Sequence, residues 1–171
     1  MPDSGKAVPS GLVIRAARAD EAAALTELAM RSKAYWGYEA SFLARCRAAL
    51  EVKTAALAAQ PHFVAERDGR RLGFYGFETL PDGVGLDYLF VEPDCVGQGI
   101  GRALWHHALA VAARLGHQTL TVVADPNAAG FYRRMGAEPA GGQASELEPG
   151  RILPVFRAAT AVALAVPGQS V

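Results

Sequence analysis

Val91-Glu92-Pro93-Asp94-Cys95-Val96-Gly97-Gln98-Gly99-Ile100-Gly101-Arg102 joins two readable patterns. On its N-terminal side, Val84 to Val91 is apolar apart from Asp87, the pattern of a central strand covered on both faces. On its C-terminal side, Ile100, Leu104, Val111 and Leu115 recur at helical spacing and give a long helix its core stripe, with Gly116 at its end. Three glycines at alternate positions leave room for backbone N–H groups to converge. The helix start adds its own unpaired amides and the positive end of its dipole. This is a phosphate-binding design. A P-loop requires GxxxxGK[ST], and no Lys-Ser or Lys-Thr follows these glycines. A dinucleotide fingerprint requires GxGxxG, and Arg102 stands where its last glycine belongs.

Upstream, Leu12 to Arg18 alternates apolar and basic residues and predicts a strand. Asp20-Glu21 then opens an Ala-rich helix with Leu25, Leu28 and Ala29 on one face and Asp20 near its cap. Lys33, Tyr35, Trp36, Gly37 and Tyr38 form an aromatic elbow before a second helix through Phe42, Leu43, Cys46, Ala49 and Leu50. His62 to Arg67 and Arg71 to Thr79 are strands joined by the hairpin signal Asp68-Gly69, and Pro81-Asp82-Gly83 turns the chain again. Downstream come a short buried strand from Leu120 to Val123, a short helix from Ala128 to Met135 stopped by Gly136, and a last strand from Ile152 to Arg157. The order predicts a mixed α/β fold, with antiparallel hairpins first and a strand–helix–strand crossover later. The expected organisation is a flexible leader over 1–10, one domain over 11–160 and a C-terminal tail over 161–171.

Composition narrows the function classes. In 171 residues, 17 Lys and Arg balance 17 Asp and Glu, so the electrostatic footprint of a nucleic-acid coat is missing and no nucleic-acid partner is expected. A 51% hydrophobic share suits a globular core, and no apolar run reaches the roughly 20 residues of a membrane span. No signal peptide is visible at Met1-Pro2-Asp3-Ser4-Gly5-Lys6, so a cytoplasmic protein without a membrane partner is expected. Cys46 and Cys95 lack metal-ligand spacing and read as reduced or buried thiols, and no metal is expected. His106-His107 have no partner one turn on and read as a solvated face. Arg70-Arg71 and Arg133-Arg134 read as solvated pairs. Ala161 to Val166 reads as an edge segment or a homodimer contact.

Two patches together resemble the GCN5-related N-acetyltransferase (GNAT) family. Leu89-Phe90-Val91 followed by Val96-Gly97-Gln98-Gly99-Ile100-Gly101-Arg102 is similar to that family's Leu-x-Val strand and Q/R-x-x-G-x-G/A helix start, with Val96 in place of Gln or Arg. Gln98 or Arg102 is the candidate for the missing polar contact. Asn127-Ala128-Ala129-Gly130-Phe131-Tyr132, ahead of Gly136, is similar to its Asn-x-x-x-x-Phe/Tyr-Tyr helix and glycine turn. The element order agrees over residues 12–158, and the specific motifs lie within 86–136.

The resemblance implies a mostly antiparallel mixed sheet, with splayed parallel central strands flanked by helices, and acetyl transfer from acetyl-coenzyme A to a primary amine by direct attack in a ternary complex. The implied cofactor residues are Leu89, Phe90 and Val91 for the pantetheine, an amide near Phe90 for the thioester oxygen, Val96 to Arg102 for the pyrophosphate, and Asn127 and Phe131 beside them. Tyr132 is implied as the acid for the departing thiolate; without the motif it reads as a core aromatic. Asp87 is the first candidate for the base, or else a structural or ammonium-orienting carboxylate, and Glu78 is the second. Trp36 and Tyr38 are candidates for the acceptor wall, or else packing between two helices. A noncatalytic acyl-coenzyme A sensor on the same fold is the other class. The acceptor is open among amino acids, polyamines, aminoglycosides and a protein N-terminus.

Overall fold

A computed structural model describes residues 7–160, so the tail over 161–171, with its dimer-contact reading, and the first six residues of the leader lie outside the described residues. Seven strands are ordered β1-β2-β3-β4-β5-β7-β6 in one mixed sheet with flanking helices. They are β1 (Val13–Ala16), β2 (His62–Arg67), β3 (Arg70–Leu80), β4 (Gly83–Val91), β5 (Thr119–Val123), β6 (Glu138–Ala144) and β7 (Ile152–Ala159). The helices are α1 (Ala22–Ala34), α2 (Ala40–Leu50), α3 (Thr54–Ala59), α4 (Ile100–Arg114) and α5 (Ala129–Arg134). The residues fall into two units, 7–76 with 88–104, and 77–87 with 105–160.

In the first unit, β1 pairs antiparallel with β2 and β2 with β3. Asp68 and Gly69 both have positive φ, 51° and 75°, the geometry that closes a two-residue hairpin with the sheet's own twist. Leu25, Leu28 and Ala29 of α1 pack with Val52, Val64, Phe74 and Tyr88. Burying each leucine contributes about 1.5–3 kcal/mol, so this face, more than helix propensity, holds α1 in place. The polar hub of the unit is Glu21, 1% exposed. It accepts hydrogen bonds from Arg15 Nη1 and Nη2, from Arg71 Nε and from the Arg18 amide. Arg15 holds its carboxyl far below the usual carboxylate range, against the opposing effect of burial, and Arg18 and Arg71 add to the shift. Glu21 thus ties β1, β3 and the entry to α1 together. Asp20, expected near the cap, is exposed.

In the second unit, β4 pairs with β5 in parallel through Val84↔Leu120, Gly85↔Thr121 and Leu86↔Val122, which is the predicted crossover. β7 then inserts antiparallel between β5 and β6. Trp105, Tyr132 and Phe156 form an aromatic centre, with Tyr132 edge-on to Trp105 at 5.4 Å and stacked on Phe156 at 5.8 Å. The helix ends at Gly116 and Gly136 hold as expected. His117 N–H reaches Ala112 O and Ala137 N–H reaches Tyr132 O, while the glycine amides reach Ala113 O and Arg133 O.

Four details differ from the sequence reading. Leu115 is 53% exposed, because the chain leaves α4 at Arg114 and the buried face of the helix ends at Val111 and Ala112. β4 is buried only at Val84–Leu86 and Tyr88. Asp87 reaches solvent, and Leu89–Val91 are half-buried. α3 was not anticipated, since six residues span less than two turns and show no period. β6 was not anticipated either; Pro139, Gly141 and Gly142 are tolerated there because it is an edge strand, and its register shifts between Pro139 and Gly142.

Candidate active site

The glycine stretch of the first unit is fixed from several directions. Its entry, Pro93–Cys95, is a single 3₁₀ turn. Arg31 reaches the buried Glu92 through Nε at 3.1 Å and Nη2 at 2.5 Å, and Arg70 Nη2 sits 2.8 Å from both Asp94 oxygens. Gly97 and Gly99 have φ of 81° and 84°, which side-chain-bearing residues rarely adopt. The first α-helical hydrogen bond of α4 runs from Ala103 N–H to Gly99 O. The amides of Ile100 and Gly101 precede it at the positive end of a 15-residue helix, Ile100 buried and Gly101 half-buried. Gly101 itself lies inside the helix rather than in the turn. The local geometry is that of an anion cradle.

The side chains expected beside it divide. Gln98 turns back, with Nε2 donating to Asp94 O at 3.0 Å, and its amide donates to Cys95 O, so it braces the loop. Arg102 is half-buried in the first turn of α4, and Val96 is 46% exposed. Leu89, Phe90 and Val91 end β4. Glu92 N–H donates to Leu72 O at 2.8 Å, and amides alternate edges along a strand, so Phe90 N–H faces β3 while Leu89 and Val91 N–H face the other edge. The amide near Phe90 that is free to meet a ligand therefore belongs to one of its neighbours.

At the elbow, the structure does not bring Trp36 and Tyr38 together. Trp36, 42% exposed, packs edge-on with Tyr35 at 5.2 Å, whereas Tyr38 packs on Phe42 at 4.8 Å beneath the Lys33 ammonium. Gly37, at a φ of 79°, separates them. The cavity of about 790 Å³ between α1 and α2, lined by Thr26, Glu27, Arg47, Glu51 and Thr54 among others, contains none of the predicted site residues.

In the second unit, Glu78 and Asp87 form an acidic pair on β3 and β4. Gly85 makes room for it, since a methyl group there would come within 3.0 Å of Glu78 Cγ and Oε1. Desolvation raises the pKa of both carboxyls, and the charge of Asp87 raises Glu78 further. Asp87 still has a face to solvent. A carboxyl in this state is a stronger base than an ordinary aspartate.

Tyr132 is buried in α5, and burial pushes its phenol well above the usual value, so it stays protonated across the neutral range. Among the described residues its hydroxyl has no hydrogen-bond partner. Phe131 stands edge-on to it at 5.1 Å. Asn127 is engaged locally, its amide and Nδ2 both donating to Asp125 Oδ1. Arg133 lies over the Phe156 ring, His106 is exposed and His107 half-buried. The sequence reading missed Glu92, Arg31 and Ser32, the residues that fix the end of β4. An acidic residue at the end of a strand was the only local signal for them.

A strand, a glycine turn with positive φ, a long helix and a parallel return strand define the class of acyl-coenzyme A acyltransferase folds. The comparisons agree. A family model described as an acetyltransferase (GNAT) domain matches residues 58–136. The GCN5-related N-acetyltransferase structure from Rhodopseudomonas palustris superposes with a TM-score of 0.75 and 25% identity, covering 91% of this chain and 99% of that one. A GNAT family acetyltransferase from Brucella melitensis, solved with acetyl-CoA, superposes with a TM-score of 0.55 at 27% identity over 74% and 82% of the two chains. The peptidyl-lysine N-acetyltransferase YjaB of Salmonella typhimurium is 44% identical over 68 residues, which is 39% of this chain and 43% of that protein. The chain therefore spans less than half the length of this curated relative. Residues 58–136 thus match the acetyltransferase (GNAT) domain, and the fold is that of the GNAT acetyltransferases.

Among the described residues no helix is long and apolar enough to cross a membrane, and no group of three or more His, Cys, Asp or Glu is gathered to hold a metal ion. Cys46 and Cys95 are buried.

Proposed function

We propose that the chain is an acetyl-CoA-dependent N-acetyltransferase that acts by direct attack of an amine in a ternary complex, with a lysine side chain of a peptide or protein as acceptor. The observation that carries the reading is the turn at Gly97 and Gly99, which leads directly into the amides at the start of α4. Those amides suit the coenzyme's pyrophosphate and supply positive potential that a neutral chain otherwise lacks. The outward amides of Leu89 and Val91 suit the pantetheine arm and the thioester oxygen, where a preorganised donor stabilises developing charge. Tyr132 serves the departing sulfur. The name and local identity of the YjaB relative support lysine as the acceptor, and the need for acetyl-CoA supports a cytoplasmic site of action.

Calorimetry with coenzyme A and thiol release from acetyl-CoA test the reading. A lysine-bearing peptide is expected to outpace free amino acids and polyamines as acceptor. Absence of coenzyme A binding would overturn the proposal, and tight binding without turnover on any amine would leave a binding module.

The amine attacks only as the free base, and in this reading Asp87 or Glu78 takes its proton, a role their raised pKa values support. The rate is therefore expected to rise with pH as the base loses its own proton, with a midpoint above the ordinary carboxylate value. Asp87→Asn separates the two candidates. If Asp87 is the base, this limb of the pH profile disappears. If Glu78 is the base, removing the neighbouring charge shifts the limb to lower pH. A limb that stays in place removes both from the role.

A further inference from the structure

Two consecutive residues of α1 hold Val91, the last residue of β4, and Glu92, which follows it. Arg31 pairs with Glu92, and next to it Ser32 Oγ accepts the Val91 amide at 3.3 Å. Glu92 is buried and its own amide is bound to Leu72 O, so the ion pair anchors the end of β4 to the helix. The Val91 amide faces the edge away from β3, as the alternation of strand amides requires. The parallel ladder on that side of β4 runs over Val84–Leu86, so Val91 lies beyond it. A side-chain hydroxyl takes the place of a strand neighbour. It is a neutral acceptor beyond the usual 2.7–3.2 Å range for an N–H donor, on a half-buried side chain that frees the amide by a single rotation. The charged pair beside it is held instead by two hydrogen bonds, from Arg31 Nε and Nη2. One contact fixes the backbone, and the other is made to be exchanged.

We propose that Ser32 is a positioning residue that occupies the Val91 amide in the cofactor-free chain and yields it to an oxygen of the acyl-coenzyme A arm. The inference rests on the acetyltransferase reading above. Ser32 keeps the donor aimed and out of competing backbone contacts, while Arg31–Glu92 keeps strand and helix in register through the exchange. The hydroxyl also competes with the ligand, so removing it raises affinity. One net hydrogen bond corresponds to roughly two- to tenfold in a dissociation constant.

Calorimetric titration of wild type, Ser32→Ala and Ser32→Thr with coenzyme A and with acetyl-CoA tests this. Ser32→Ala is expected to bind about two- to tenfold more tightly, and Ser32→Thr, which keeps a hydroxyl, to return to the wild-type value. Tightening for both ligands assigns the Val91 amide to a pantetheine carbonyl, and tightening for acetyl-CoA alone assigns it to the thioester oxygen. Unchanged or weaker binding by a folded Ser32→Ala protein overturns the proposal, as does tightening that threonine fails to reverse. If wild type binds neither ligand, the acetyltransferase reading fails and takes this inference with it. Binding by wild type with no effect of Ser32→Ala removes the Ser32 role alone.

Discussion

Replacing Tyr132 with phenylalanine is expected to lower turnover about 100-fold while leaving coenzyme A affinity within about twofold of wild type. The two halves of this expectation come from different parts of the residue. The ring is held between Trp105, Phe131 and Phe156, and phenylalanine keeps those contacts. The hydroxyl has no partner among the described residues, so the fold loses no hydrogen bond with it and the melting temperature should not fall. The size of the rate effect follows from relative acidities. A departing thiol has an ordinary pKa near about 8.5, below that of this phenol. In the proposed role Tyr132 therefore acts by donating a hydrogen bond to the sulfur more than by complete proton transfer, which puts the expected loss at the low end of general-acid effects. About 100-fold corresponds to about 2.7 kcal/mol of transition-state stabilisation. The loss should also be uniform through the neutral range, because burial keeps the phenol protonated there. Steady-state rates at several pH values, with calorimetry on the same variant, check it. Unchanged turnover would assign Tyr132 to packing alone.

What could be read from the sequence was what local backbone chemistry dictates. Asp68-Gly69 announces positive φ at two adjacent residues, and Gly97 and Gly99 announce a turn that few side chains permit; both are visible without knowing any partner. The acidic pair was legible because Asp87 interrupts an apolar run. Which aromatic of the elbow is exposed was not legible, since Tyr38 is covered by Phe42 and Lys33 only once α1 and α2 have met. Gln98 looked like a ligand contact because nothing local shows that its side chain folds back on Asp94. The anchors Arg31–Glu92 and Arg70–Asp94 join residues far apart in the chain, and sequence periodicity carries no record of such pairs. Glu21 belongs to the same class. Capping signals at Asp20-Glu21 marked the start of a helix but not which carboxylate would be buried, and that choice depends on Arg15 and Arg71.

Glu21→Gln is expected to destabilise the chain by about 3 kcal/mol, a large share of the roughly 5–15 kcal/mol that holds an ordinary domain together. The carboxylate is almost wholly inaccessible, whereas Arg15, Arg18 and Arg71 keep 23%, 56% and 36% of their side-chain surface. That exposure softens the penalty, because the arginines recover water when their partner loses its charge. Arg15 also keeps Glu66, at 2.6 Å. Glutamine keeps one acceptor oxygen and turns an NH2 group toward the other side, so either Arg71 Nε or the Arg18 amide, which bond different carboxylate oxygens, loses its acceptor and faces a donor. A pH series separates this account from loss of packing. The folded carboxyl titrates well below its unfolded value, near about 4.3, so its contribution is fully present above that value and is lost as pH falls through the folded one. Wild type should therefore lose stability steeply below about pH 4, while Glu21→Gln starts lower and falls less over the same interval. Urea unfolding at pH 7 and pH 3 measures the two slopes. Parallel curves would mean that Glu21 acts by its shape and not its charge, and that the hub joining β1, β3 and α1 is packing in which the ion pairs are incidental.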